Sequence, residues 1–233
     1  MSTATIPSLL EMLKSGVHFG HQTSKRHPKM APYIYAERSG VNIIDLEQTR
    51  AKLDEALKFV EQITANGGVI LFLGTKKQAR ELVKTAAIAC DSPYIVARWI
   101  GGTITNFENV SKLIRKLTQL EQSAQSGDWK KYTKKEQVAF TKELNKLNDF
   151  VGGIKLMNKL PKALFVVDIK KEKTAVAEAN KKGIPIIALV DTNVNPQLVQ
   201  YPIPANDDAI KSIQLISQLV SDTIRASKKA EAK

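Results

Sequence analysis

Three histidines, three cations and several rings are gathered in Gly16-Val17-His18-Phe19-Gly20-His21-Gln22-Thr23-Ser24-Lys25-Arg26-His27-Pro28-Lys29-Met30-Ala31-Pro32-Tyr33-Ile34. The stretch has neither a helical nor a strand period of apolar residues, so it reads as a surface and not as a cover for a core. Cations, glycines that permit close approach and planar rings suit phosphates and exposed nucleotide bases. Imidazoles also ligate metals, but His18, His21 and His27 have no Cys companion and depart from zinc spacing, so no metal is assigned. A second basic set, Lys76, Lys77 and Arg80 in Gly74-Thr75-Lys76-Lys77-Gln78-Ala79-Arg80, stands at the start of a predicted helix, where free amides attract anions. With one glycine there, neither the dinucleotide fingerprint nor the P-loop is present, and a nucleotide-dependent enzyme loses its strongest support.

Asp168 and Asp191 end predicted strands, where carboxylates can hold Mg²⁺ or act as bases. No Ser, His or Cys partner lies at motif spacing, so they read as caps or as partners of Lys170 or Lys171. Trp99 beside Arg98 could stack on a base or lie as a lid on the core. Cys90, the single cysteine, lacks a Cys–His signature and reads as a small core residue. No catalytic residue and no cofactor is assigned, structural Mg²⁺ and Zn²⁺ included.

Composition points to an anionic partner: 35 Lys+Arg against 23 Asp+Glu give a formal charge of +12, a self-repulsion that a polyanion relieves. No run approaches the roughly 18 apolar residues of a membrane span. Met1-Ser2-Thr3-Ala4-Thr5-Ile6-Pro7 has no basic start followed by an apolar stretch, so the chain is expected to stay in the cytoplasm, away from membranes.

These residues need elements to position them. A short helix over Pro7 to Lys14, with Thr5 available as its cap, opens the chain. Val41 to Leu46 reads as a short strand, and Asp45 can cap the helix that follows and stops at Asn66-Gly67-Gly68. Val69-Ile70-Leu71-Phe72-Leu73 is an unbroken apolar run, as in a strand buried on both faces. The alternation continues through helix Lys76 to Cys90, strand Tyr94 to Ala97, strand Ala163 to Asp168, helix Glu172 to Lys182, strand Ile186 to Asp191 and helix Asp207 to about Ala226. Strands alternating with amphipathic helices predict a three-layer α/β sandwich around a doubly wound parallel sheet. The Val41 strand is a candidate fifth member.

One stretch breaks the alternation. Val110, Leu113, Leu117 and Leu120, and then Phe140, Leu144, Leu147 and Val151, step by three and four on either side of Ser126-Gly127-Asp128. This spacing predicts an antiparallel coiled-coil hairpin over 106–151 inserted into a domain made of 1–105 and 152–226, with 227–233 a mobile tail. Narrow seams favour an arm that projects over two helices that merely cover the sheet.

Taken in order, Val17-His18-Phe19-Gly20-His21, Arg26-His27-Pro28-Lys29-Met30-Ala31-Pro32-Tyr33-Ile34, Ile43-Ile44-Asp45-Leu46, Gly74-Thr75-Lys76-Lys77-Gln78-Ala79, Arg98-Trp99-Ile100-Gly101-Gly102-Thr103-Ile104-Thr105-Asn106-Phe107, Gly183-Ile184-Pro185-Ile186-Ile187-Ala188-Leu189-Val190-Asp191-Thr192-Asn193 and Tyr201-Pro202-Ile203-Pro204-Ala205-Asn206-Asp207-Asp208-Ala209 resemble the bacterial small-subunit ribosomal protein two family. The family often has Trp-Asn at Arg26-His27, Leu at Ile100 and Pro at Ile169. The resemblance implies a flavodoxin-like (Rossmann-like) sandwich with the inserted hairpin. It implies a non-enzymatic constituent of the small subunit that binds its RNA where head meets body and forms a platform for ribosomal protein one. It also implies contacts with neighbouring small-subunit proteins and a place in a cytoplasmic ribosome rather than an organellar one.

RNA contacts are then expected from His18, His21, Lys25, Arg26, His27, Lys29, Lys76, Lys77, Arg80, Arg98, Trp99, Lys112, Arg115, Lys116, Lys130 and Lys131. Two rivals remain. A nucleotide-binding enzyme on the same sandwich predicts saturable mononucleotide binding that needs Asp168 or Asp191. A coiled-coil scaffold predicts a dimer that needs Leu113 and Leu117, whereas a ribosomal protein needs neither a small-molecule substrate nor an obligate homo-oligomer.

Overall fold

The computed structural model describes residues 6–231. Helix α1 (Leu9–Lys14) is capped by Ser8, whose hydroxyl oxygen accepts from the Glu11 N–H while the Glu11 carboxylate accepts from the Ser8 N–H. The sequence's candidate cap, Thr5, lies outside the described residues. Strands β1 (Phe19–Gln22), β2 (Ile34–Arg38) and β3 (Val41–Ile44) form a small antiparallel sheet in the order β1-β3-β2. This corrects two expectations: the histidine segment contributes strands, and the Val41 strand is the middle of that sheet, not a member of the main one. The ribbon is largely exposed and anchors itself through isolated side chains such as Val17 and Met30, both buried. Single anchors leave no period to read.

Asp45 caps α2 (Leu46–Ala65) by accepting from the Glu47 and Gln48 N–H groups. Then come β4 (Ile70–Leu73), α3 (Arg80–Ala89) and β5 (Tyr94–Ile95), followed by the two helices α4 (Phe107–Gln125) and α5 (Lys134–Val151). The chain closes with β6 (Ala163–Val167), α6 (Lys173–Lys181), β7 (Ile186–Val190), β8 (Tyr201–Pro204) and α7 (Ile210–Glu231). The helix expected from Lys76 begins only at Arg80, and α7 continues past Ala226, so residues expected in a mobile tail are helical through Glu231. No helix among the described residues is long and apolar enough to cross a membrane.

The main sheet is parallel throughout, in the order β5-β4-β6-β7-β8, as the flavodoxin-like sandwich requires. Its fifth strand is β8, hidden in the sequence because Pro202 and Pro204 argue against a strand. An edge position tolerates them. Ile70, Phe72, Phe165, Val167, Ile187 and Leu189 face a core shared with α2, α3 and α7, and Phe72 meets Phe165 edge-on at 5.2 Å. Leu71, Leu73, Leu164, Val166, Ala188 and Val190 face a second core with α6 and the base of the α4/α5 pair. Burial on both faces produces the unbroken apolar runs.

Helices α4 and α5 pack on one another through a turn that starts at Gly127, whose φ of +76° is left-handed. Trp129 and Tyr132 flank Phe140 near the turn, and Lys116 pairs with Glu143 across the helices. Of the expected seam, Val110, Leu117 and Val151 are buried and join the second core, while Leu113, Leu120, Phe140, Leu144 and Leu147 are half-buried. The pair is thus rooted in the sandwich at its base and packed mainly on itself beyond.

That root depends on Gly153. A Cβ there would lie 2.3 Å from the Tyr94 carbonyl oxygen and 2.7 Å from the Tyr94 ring, both closer than packed atoms approach. Gly153→Ala is expected to lower unfolding free energy in urea by about 1–3 kcal/mol. Gly101→Ala, which meets nothing within 4 Å, is expected to stay within about 0.5 kcal/mol of the parent.

Candidate nucleic-acid interface

Ligands of such a sheet meet its carboxyl edge where the strand order reverses, here between β4 and β6. The chain's own side chains fill that crevice. The buried Glu172 carboxylate accepts from the Thr75 N–H at 3.1 Å and from the Thr75 hydroxyl. Lys171 Nζ and Arg80 Nε each donate to the Thr75 carbonyl at 3.0 Å. Burial raises the Glu172 carboxyl above the ordinary glutamate range, with the Thr75 donors pulling the other way.

Lys76 is only 14% exposed. Its ammonium lies 2.6 Å from Asp207 Oδ1, 2.7 Å from Asp208 Oδ1 and 3.5 Å from Asp168 Oδ2. His21 completes the cluster, with Nδ1 3.0 Å from buried Asp191 and Nε2 3.4 Å from Asp208. Burial, then the Asp191 and Asp168 charges, push the Asp207 carboxyl up to about 7 against the pull of Lys76. The hydrogen bond to Asp191 raises His21, burial opposes it, and the surrounding carboxylates add to the rise. Ligand atoms of His21, Asp191, Asp207 and Asp208 lie within 4.8 Å of one another, a span one cation could bridge. In this geometry the Lys76 ammonium already sits on Asp207 and Asp208. Asp168, at a φ of +68°, also accepts from the Lys171 N–H, so one carboxylate both caps a turn and pairs with a lysine.

The ribbon is tied to the same edge. The His21 N–H donates to Thr192 Oγ1, the His27 N–H donates to the Thr192 carbonyl, and Asn42 donates to the His21 carbonyl. The other two histidines stand apart from the cluster. His18 lies beside Phe19 with ring centres 4.0 Å apart and planes tilted by 39°, and burial lowers its pKa. His27 Nδ1 accepts from the Lys29 N–H.

Trp99 is a lid on the second core, and its indole N–H donates to Glu178 at 3.1 Å. The same carboxylate accepts from the N–H groups of Gly102, Ile104 and Thr105 and from the Thr105 hydroxyl. Burial works to raise the Glu178 carboxyl, but these donors outweigh it and hold it below the ordinary glutamate range. The loop amides that could have cradled a phosphate are therefore occupied, while neighbouring Arg98 is exposed.

The other expected contacts are exposed cations. Lys25 and Lys29 lie on two short 3-10 turns of the ribbon with Arg26 between the turns, and Lys29 donates to Gln197 at 2.5 Å. Lys77 and Arg80 lie at the head of α3, on the sheet's carboxyl edge with the ribbon. On the helical pair, Lys112 faces Glu108, Lys116 faces Glu143 and Lys131 faces Asp128, while Arg115 and Lys130 have no ion-pair partner among the described residues. Sequence reasoning missed Glu172, Glu178, Asp207 and Asp208 as organisers. Only Asn206-Asp207-Asp208, two acids before a helix, carried a local signal.

A family model described as ribosomal protein S2 matches residues 12–227. The match takes in the ribbon, both cores and the helical pair, and the chain belongs to that family.

Glu178→Gln sets an amide nitrogen against converging N–H donors and is expected to cost about 2–3 kcal/mol in urea unfolding. It should also abolish a loss of stability that the parent shows as pH falls below the unfolded glutamate pKa, about 4.3. The Lys76 cluster acts with the opposite sign. Groups whose folded pKa is raised stabilise most at low pH, so the parent should lose stability as pH rises from about 4 to about 7 through Asp207, and further as pH rises above about 6.5 through His21. His21→Ala and Asp207→Asn should each flatten that decline, read by urea unfolding across the range.

Proposed function

We propose that this structural component of the small ribosomal subunit grips small-subunit ribosomal RNA where head meets body, using cations held on the outer side of the sheet's carboxyl edge and along the helical pair. The observation that carries the reading is the division among those cations. Lys76 is enclosed by three carboxylates, whereas Lys25, Arg26, Lys29, Lys77, Arg80 and Arg98 are exposed. The enclosed group stiffens the edge, and the exposed ones neutralise phosphates and read folded RNA by shape. His21 and Trp99 then act as positioning residues.

The exposed side chains Leu13, Phe19 and Tyr35 around His18 support a second role as a platform for ribosomal protein one, since a protein-docking surface needs uncovered apolar area. The filled crevice at Thr75 and Glu172 counts against a nucleotide-dependent enzyme. Side chains of α4 and α5 that face each other count against a scaffold that dimerises through them.

The test is sedimentation of the tagged protein from its native lysate at moderate and high salt. Co-migration with small subunits that weakens with salt supports the reading, and residence at the top of the gradient in both conditions refutes it. Reversing Lys25, Arg26 and Lys29 to Glu should reduce incorporation without changing the urea unfolding curve. For three lost phosphate contacts the slope of log affinity against log salt should fall by about 2 to 3. Unchanged incorporation removes the ribbon from the RNA interface.

A further inference from the structure

The opposite end of the sheet carries an apolar groove with no part in that reading. It encloses about 780 Å³, within the 300–1,000 Å³ range of pre-formed binding sites. Its floor is the amino ends of β4, β5 and β6, and its outer wall is the segment 156–160 that follows the helical pair. Four aliphatic side chains stand open around it: Leu156 is 91% exposed, Ile88 54%, Val69 45% and Leu160 37%. An open aliphatic set of this size marks an interaction surface rather than scattered surface residues.

The rim selects the occupant. Lys159 and Lys162 line the groove with no carboxylate partner among the described residues, against the single carboxylate of Asp91. A third ammonium, that of Lys228, lies 3.2 Å from the Asp91 carbonyl oxygen and 2.7 Å from that of Cys90. An RNA base would call for an exposed ring or guanidinium plane, but the lining holds no arginine, and its one ring, Tyr94, is half-buried beneath Gly153. We infer that this groove receives a segment of a neighbouring protein that presents aliphatic side chains flanked by Asp or Glu. Aliphatic side chains fill the trough while the flanking carboxylates meet Lys159 and Lys162, which sets approach rate and orientation.

The inference assumes the chain's place in the small subunit, and the experiment keeps the two separable. Leu156 is replaced in the full-length protein by photoreactive p-benzoylphenylalanine, a probe at Tyr35 serves as control, and intact cells are illuminated before subunits are isolated. The expected product at Leu156 is an adduct to a protein segment carrying at least two aliphatic and two acidic residues. Its yield should fall about fivefold or more in Lys159→Glu/Lys162→Glu, with the Tyr35 adducts and incorporation unchanged. An adduct to RNA, an adduct to a segment without carboxylates, no adduct, or a yield indifferent to the charge reversal overturns the inference. A charge-sensitive adduct from a chain that never sediments with subunits retains the groove and refutes the placement.

Discussion

The ammonium of Lys76 is the tie on which the carboxyl edge of the sheet depends. It follows β4, and the carboxylates it meets follow β6 and precede α7, with His21 of the ribbon bridging Asp208 to Asp191 after β7. Carboxylates withdrawn from water this far are stable only when paired or protonated. Burial, and then the negative surplus that one lysine and one histidine leave among four carboxylates, raise the Asp207 carboxyl above the ordinary aspartate range. The arrangement closes the crevice where a sheet of this order usually receives its ligand. It converts a binding edge into a rigid footing, and the ribbon is laid on that footing.

Much of this was legible in order along the chain. Residues 69–73, 163–168 and 186–191 read as buried strands because both faces are covered, and the helices between them show their apolar stripes. Strand β8 was not legible because its two prolines speak against a ladder that an edge position permits. Lys76 and Asp207 are 131 residues apart, and Thr75 and Glu172 are 97 apart. A sequence displays charge but not depth, so an enclosed lysine and its exposed neighbour Lys77 look alike. Glu178 is equally silent, one acid on an amphipathic helix until a distant loop folds its amides around it. The seam of the helical pair was legible as a stripe, but its division between a shared core and a private interface depends on where the sheet ends.

The cations also differ in how readily they can change partner. Exposed pairs such as Lys112 with Glu108 or Lys131 with Asp128 are solvated and screened, and contribute little to stability. On the proposed RNA-bound reading, a phosphate would replace the carboxylate of such a pair at little cost. The Lys76 group cannot exchange in this way, because losing one partner leaves the others as buried, unmatched charge.

The contact of Gly153 with Tyr94 sets the aim of a lever. A helix of 19 residues such as α4 is about 28 Å long at 1.5 Å per residue. A tilt of about 5° at its root therefore moves its far end by roughly 2.5 Å, close to a full hydrogen-bond length. On the proposed RNA-bound reading, a methyl group added at the fulcrum would displace the cations at the tip by that distance, so a change that leaves every charge in place would still misdirect the arm.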